Sequence, residues 1–284
     1  MENKQDWTKI IKSEESFFKL NLKEILEYKD LIFLLTKKNF TTMYKQTILG
    51  PLWIVINPLL TTTMFTIIFG YIASIPTDSV PQFIFYMAGN IIWVYFSSCL
   101  SQISSTFLTN AAIFGKVYFP RLVPPISVIF TKLIDFTVQL VVFILFIAIF
   151  IHRGAPISID IKVVFFPLLI LQTAMLAFGV GIIISSLTTK YRDLNVLVSF
   201  GLQLWMYATP IVYPASQIHG KLQTLLMLNP MAPIAETFRY LFLGCGSIPT
   251  TFLVISILET IIIGCIGLFL FKKVEDIWLK QDEK

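Results

Sequence analysis

The chain has 284 residues, 56% of them hydrophobic and only 14% charged, with mean hydropathy +0.77 and net charge +5. A soluble domain carries about 25% charged residues, so this surface is matched to lipid rather than to water, and a nucleic-acid binder is disfavoured. Three cysteines (Cys99, Cys245, Cys265) and two histidines (His152, His219) share no metal-ligating or disulfide spacing and read as apolar fillers and loop residues.

Residues 1–30 alternate Lys with Glu and Asp and hold no apolar core segment, so this end is expected to stay in the cytoplasm without a cleavable signal. The stretch 30–48 places Ile32, Phe33, Phe40, Met43 and Tyr44 on one helical face. Lys38, Thr42, Lys45 and Gln46 fall opposite, as in a helix lying along the inner membrane surface. A span needs about 20 apolar residues to cross about 30 Å of hydrocarbon. Six stretches qualify, near 52–73, 83–108, 126–151, 163–187, 194–213 and 250–271. The expected fold is an all-α integral membrane protein: a cytoplasmic segment 1–49 carrying an interface helix near 31–48, then a six-span domain over 50–284. With the N-terminus inside, 18 of the 22 Lys and Arg residues fall on the cytoplasmic side, a bias that puts both termini there.

The connection 214–249 is long and apolar, and Pro230 and Pro233 interrupt it. Each flank is too short to cross the bilayer, so two half-helices dipping into the outer leaflet are expected over 222–243.

Few groups could carry chemistry. No phosphate-binding loop, zinc-protease or nucleophile-elbow motif occurs, and no acid cluster shares an extramembrane loop. The chain is therefore not expected to be an enzyme. Glu259 falls near the middle of the last span, where a charge is costly, so an interhelical hydrogen bond or a place on a water-filled path is expected. Lys132, Asp135 and Gln139 form one stripe on span three, and the first two are spaced to pair. Polar and aromatic side chains recur at helical spacing on three further spans. They are Trp53, Asn57 and Thr61 on span one; Tyr86, Asn90, Trp93 and Ser97 on span two; and Phe200, Gln203 and Tyr207 on span five. Aromatic faces stack on sugar rings and amides bond hydroxyls, which suits a saccharide path; helix packing and interfacial aromatic belts are the other account.

Several ordered motifs are more specific. Tyr44-Lys45-Gln46-Thr47 leads to Leu49-Gly50-Pro51-Leu52-Trp53 and Asn57-Pro58-Leu59-Leu60, and Lys116-Val-Tyr-Phe-Pro-Arg121 follows span two. Tyr191-Arg192-Asp193-Leu194 precedes span five and Thr209-Pro210-Ile211-Val212-Tyr213-Pro214 ends it. Asn229-Pro230, Glu236-Thr-Phe-Arg239 and Gly244 occupy the long outer connection, and Phe271-Lys272-Lys273-Val274-Glu275 closes span six. In this order the motifs resemble the permeases of type-two ABC transporters that export polysaccharides: O-antigen, capsule and teichoic acid exporters.

The resemblance implies a homodimer in the bacterial inner membrane, bound to two copies of a separate ATPase subunit, moving a lipid-linked polysaccharide. ATP and magnesium would be held by that partner, and no cofactor is expected in this chain. It further implies that the interface helix and a short helix near 109–121 rest on the ATPase, with Lys37, Lys38, Lys45, Lys116 and Arg121 as contacts. Spans one and five would line the tunnel, through Trp53, Asn57, Thr61, Phe200, Gln203 and Tyr207, with Tyr86 and Trp93 of span two beside them. Asn229, Pro230, Pro233, Glu236 and Arg239 would belong to an outer gate. The alternatives are a small-molecule exporter of the same superfamily and a membrane-embedded glycolipid-modifying enzyme.

Overall fold

The computed structural model describes residues 22–45, 47–114, 119–188 and 193–282, and among these every regular element is helical. A short α1 (Leu22–Glu27) precedes α2 (Lys29–Tyr44). The chain turns at Gly50, whose φ of +51° lies in the left-handed region that favours glycine. Pro51 then sits in the opening turn, where a missing N–H costs nothing. Helix α3 (Trp53–Phe65) continues through a π-helical stretch, Thr66–Ile72, so that Gly50–Ile72 forms one apolar segment of 23 residues. Helix α4 (Gln82–Ser104) is followed by α5 (Thr106–Phe114).

Helix α6 (Val123–His152) carries Pro124 and Pro125 in its first turn and runs for 30 residues, about 45 Å at 1.5 Å per residue. Helix α7 (Phe166–Thr188) is entered through a 3-10 turn that the Asp160 side chain caps by accepting the Lys162 backbone N–H at 2.9 Å. After it come α8 (Leu194–Tyr207), α9 (Lys221–Met227), α10 (Met231–Leu243) and α11 (Thr250–Asp282).

Five of these segments are long and apolar enough to cross a membrane: Gly50–Ile72, Gln82–Ser104, Val123–His152, Ile161–Thr188 and Thr250–Val274. They match five of the six expected spans to within a few residues. The exception is the fifth. Its helix α8 has 14 residues, about 21 Å long, and stops at Tyr207. Thr209 precedes Pro210 and is biased away from helical geometry, so the apolar run 208–213 folds into a turn instead of extending the helix.

Helix α4 is the hub of the bundle. It packs against α3, α6, α7, α8 and α10, and 78% of its membrane window is buried, against 17% for the α3 segment and 17% for α11. Asn90 donates to the Pro58 carbonyl of α3 at 3.2 Å, filling an acceptor beside the kink-prone proline. Phe96 meets Trp205 of α8 edge-on, with centroids 5.1 Å apart. Small residues close the α7–α11 crossing. A Cβ on Gly179 would lie 3.0 Å from the Gly264 backbone nitrogen, so a larger residue there would press the two helices apart.

Helix α2 departs from a simple surface helix. Thr36 and Asn39 reach Ser127 on α6, Met43 reaches Lys132 and Tyr44 reaches Asp135. The contacts advance together along both helices, so α2 runs beside the N-terminal half of α6. Its face toward α6 is consequently polar, while Phe33 of the apolar face is 72% exposed, free to meet lipid.

Candidate transport path and coupling surface

Two helices keep an open face. On α3, Trp53 and Asn57 are exposed and Thr61 is half-buried, continued outward by exposed Met64, Ile68 and Tyr71. On α8, Phe200, Gln203 and Tyr207 are exposed one turn apart. Both stripes mix aromatic rings with amides. Tyr86 and Trp93 differ: they are 0% and 5% exposed, enclosed in the protomer core. The physical reason is the position of α4, which has neighbours on nearly every side; Trp93 packs against Phe96 and Tyr86 against Phe85. Neither reaches an open surface, which corrects the lining role expected for them.

The hairpin α9–α10 is tied to the end of α8 by two polar knots. At its apex, the Asn229 side chain donates to the Ala208 carbonyl at 3.0 Å and to Thr209 Oγ1 at 2.8 Å. Its amide oxygen accepts from the Trp205 indole at 2.8 Å and from the Met231 backbone N–H at 3.1 Å. The Pro230 carbonyl accepts from Ser256 of α11 at 2.7 Å. Pro230 caps α10 and Pro233 lies in its first turn, where no intrahelical N–H bond is lost. So Pro230 marks the break, and Pro233 does not.

Two turns along α10, Arg239 and Glu236 pair at 2.8 Å with side chains almost wholly buried. Arg239 Nη2 also donates to the carbonyls of Pro210 and Ile211, and its guanidinium stacks 4.1 Å from the Phe85 ring centroid. Glu236 Oε1 accepts from the Ala215 backbone N–H at 3.2 Å. A Cβ on Gly89 would collide with the Arg239 guanidinium and the Ile211 carbonyl, so this glycine of α4 makes room for the knot. Gly244 ends α10 in a left-handed cap.

At the opposite end of the bundle, Lys37, Lys38 and Lys45 are exposed along α2. Lys116 and the Tyr191-Arg192 pair lie outside the described residues. Arg121 is 6% exposed and engaged within the chain, so its guanidinium is not displayed as a surface contact. The expected Lys132–Asp135 pair forms at 3.0 Å. Asp135 Oδ1 also accepts from the Tyr44 hydroxyl at 3.0 Å. Burial first, and then the adjacent Asp135 carboxylate, push the Tyr44 phenol above its ordinary range and keep this donor protonated. Glu259 is half-buried on α11, and its Oε2 is enclosed without a hydrogen-bond partner among the described residues. Its neighbour Ser256 takes the interhelical bond instead, accepting from Gln172 of α7 at 2.8 Å.

The sequence profile of the ABC-2 type transporter family matches residues 30–243, from the start of α2 to the end of α10. The chain belongs to the ABC-2 type transporter family. It is similar to the O-antigen export system permease protein RfbA of Klebsiella pneumoniae, at 31% identity over 248 residues, 87% of this chain and 92% of that protein. It is also 29% identical over 225 residues to the protein of the same name from Myxococcus xanthus, covering 78% of this chain and 83% of that one. The matched region of this ABC-2 transporter contains both polar knots of the hairpin and the Tyr44–Asp135–Lys132 cluster, while Glu259 lies beyond it.

Proposed function

We propose that this chain is the membrane permease of an ABC exporter that moves a lipid-linked, O-antigen-like polysaccharide across the bacterial inner membrane. Two copies form the conduit and two separate ATPase subunits drive it from the cytoplasmic side. The observation that carries this reading is the pair of open faces on α3 and α8, where Trp53, Asn57, Phe200, Gln203 and Tyr207 stay exposed among the described residues. Amides facing hydrocarbon leave hydrogen bonds unmade, so these faces belong against a second copy or a hydrated passage. Aromatic rings beside amides suit a glycan, offering stacking faces and hydroxyl partners together. The names of the relatives supply the substrate class.

In this reading α8 and the turn after it make the sixth crossing, completed in the outer leaflet by the hairpin. The bond from Ser256, six residues into α11, to the Pro230 carbonyl supports a re-entrant apex about 9 Å below the start of that helix. Both termini are cytoplasmic, and the exposed lysines of α2 face the ATPase, where a cationic surface favours an acidic partner.

The test is reconstitution of the permease with its ATPase in proteoliposomes, scoring ATP-dependent transfer of a lipid-linked polysaccharide. Transfer that requires both subunits is expected. Turnover stimulated by small apolar compounds, with no response to glycolipid, would refute the substrate class.

A further inference from the structure

The interface helix α2 precedes α3 in the chain, yet its side-chain bonds go elsewhere. Thr36 Oγ1 donates to the Ser127 carbonyl at 3.3 Å and Asn39 to Ser127 Oγ at 3.4 Å. Lys132 Nζ lies 3.4 Å from Met43 Sδ and 3.0 Å from Asp135 Oδ2, while the other oxygen of Asp135 takes the Tyr44 hydroxyl. Every one of these partners is on α6. Lys132 and Asp135 are 8% and 7% exposed, so the pair is shielded from water and less weakened by salt than a surface pair. Counting about 20 residues back from His152, the outer end of α6, puts Lys132 at the cytoplasmic edge of the hydrocarbon. A buried charge pair there is costly to separate, because either partner would be left uncompensated. One helical turn onward, Phe136 rests on Tyr95 of α4 with centroids 5.2 Å apart. Helix α4 in turn holds α3 through Asn90 and α8 through Phe96.

The geometry points to Tyr44, Asp135 and Lys132 as positioning residues that lock α2 and α6 into one rigid body. They deliver movement of α2 sideways through α6 and α4 to the open faces of α3 and α8, and not along the chain through 45–52. This rests on the reading of α2 as an ATPase-contacting helix. A lock of this kind has a signature that a merely stabilising pair lacks: loosening it separates ATP hydrolysis from transport.

The experiment uses the full permease–ATPase complex in proteoliposomes with Cys265→Ser, which removes the exposed native thiol. Spin labels at Leu34→Cys and Ile134→Cys, both on exposed positions, report the α2–α6 distance with and without ATP. In the otherwise unaltered complex that distance is expected to stay constant within about 2 Å, the scale of small packed-helix shifts. With Tyr44→Phe, which keeps the ring on Phe40, or with Asp135→Asn, ATP is expected to shift or broaden it. In those variants glycolipid moved per ATP should fall at least fivefold while hydrolysis stays within twofold, and Asp135→Glu should restore the ratio. An unaltered transport-to-hydrolysis ratio in both variants, or an α2–α6 distance that already changes with ATP in the parent complex, overturns the lock. A parent complex that hydrolyses ATP but moves no glycolipid contradicts the substrate reading alone, and the distance measurement still decides the lock. A chain that binds no ATPase overturns both.

Discussion

The two ends of the molecule are tied by different kinds of polar knot. At the outer end, Arg239 and Asn229 bind backbone carbonyls of the turn that closes α8, and Arg239 is 0% exposed. At the end where α2 packs, Tyr44, Asp135 and Lys132 bind one another through side chains alone, on a half-buried helix. Bonds to backbone at a helix terminus satisfy groups that have no other partner, so the outer knot sets the fold of the turn. Side-chain bonds between two complete helices leave both helices intact when broken. The outer knot is thus chiefly structural, and the inner one is placed to set how two finished helices move together.

Removing the outer ion pair should have the largest effect. Arg239→Ala strands the buried Glu236 carboxylate and frees the Pro210 and Ile211 carbonyls, at a cost of about 3–5 kcal/mol. Thermal unfolding in detergent should show the loss, with Arg239→Lys intermediate because a single ammonium cannot reproduce the fork. If Arg239→Ala melted with the parent, the knot would not hold the turn. Next comes Asn229→Ala, which deletes four hydrogen bonds and leaves the Trp205 indole unpaired, costing about 1–3 kcal/mol in the same assay.

The open faces sharpen the comparison from the other side. Trp53→Ala and Tyr207→Ala truncate side chains that are 37% and 50% exposed, so stability should fall by about 1 kcal/mol, less than for either knot. Export of polysaccharide should nevertheless fall several-fold in transport assays; normal export would make both of them packing or lipid-facing residues. The smallest effect belongs to Asp160. The Lys162 backbone N–H donated to it holds its carboxyl below the usual carboxylate range. Its cap therefore contributes above the ordinary carboxylate pKa and is lost as pH falls through the lowered value. Hydrogen exchange of the Lys162 amide should quicken there, beyond the rate change pH itself imposes, and no such increment should appear in Asp160→Asn.

Much of this architecture was legible in the chain because lipid imposes a length rule on apolar runs. Five spans follow from it. The fifth stretch is helical over only part of its length for a physical reason: hydropathy scores the turn 208–213 as apolar, and only Pro210 signals that its backbone bends. The wheel of α2 could not show that its polar edge meets α6 through Thr36 and Asn39, because a helix cannot announce its neighbour. Tyr86 and Trp93 share a stripe with Asn90, but periodicity does not distinguish a lumen from the centre of a bundle. The Lys132–Asp135 pair was readable from its spacing. Glu236 and Arg239 have the same i, i+3 spacing, and that signal could have marked them as a buried pair.

The central claim is tested most directly by photo-crosslinking during ATP turnover. A photoreactive residue at position 57 or 203, on the open faces of α3 and α8, should capture the glycan of a lipid-linked polysaccharide. The same residue at position 171 on the exposed apolar face of α7 should capture only lipid. Glycan adducts at 171 and none at 57 or 203 would contradict the account.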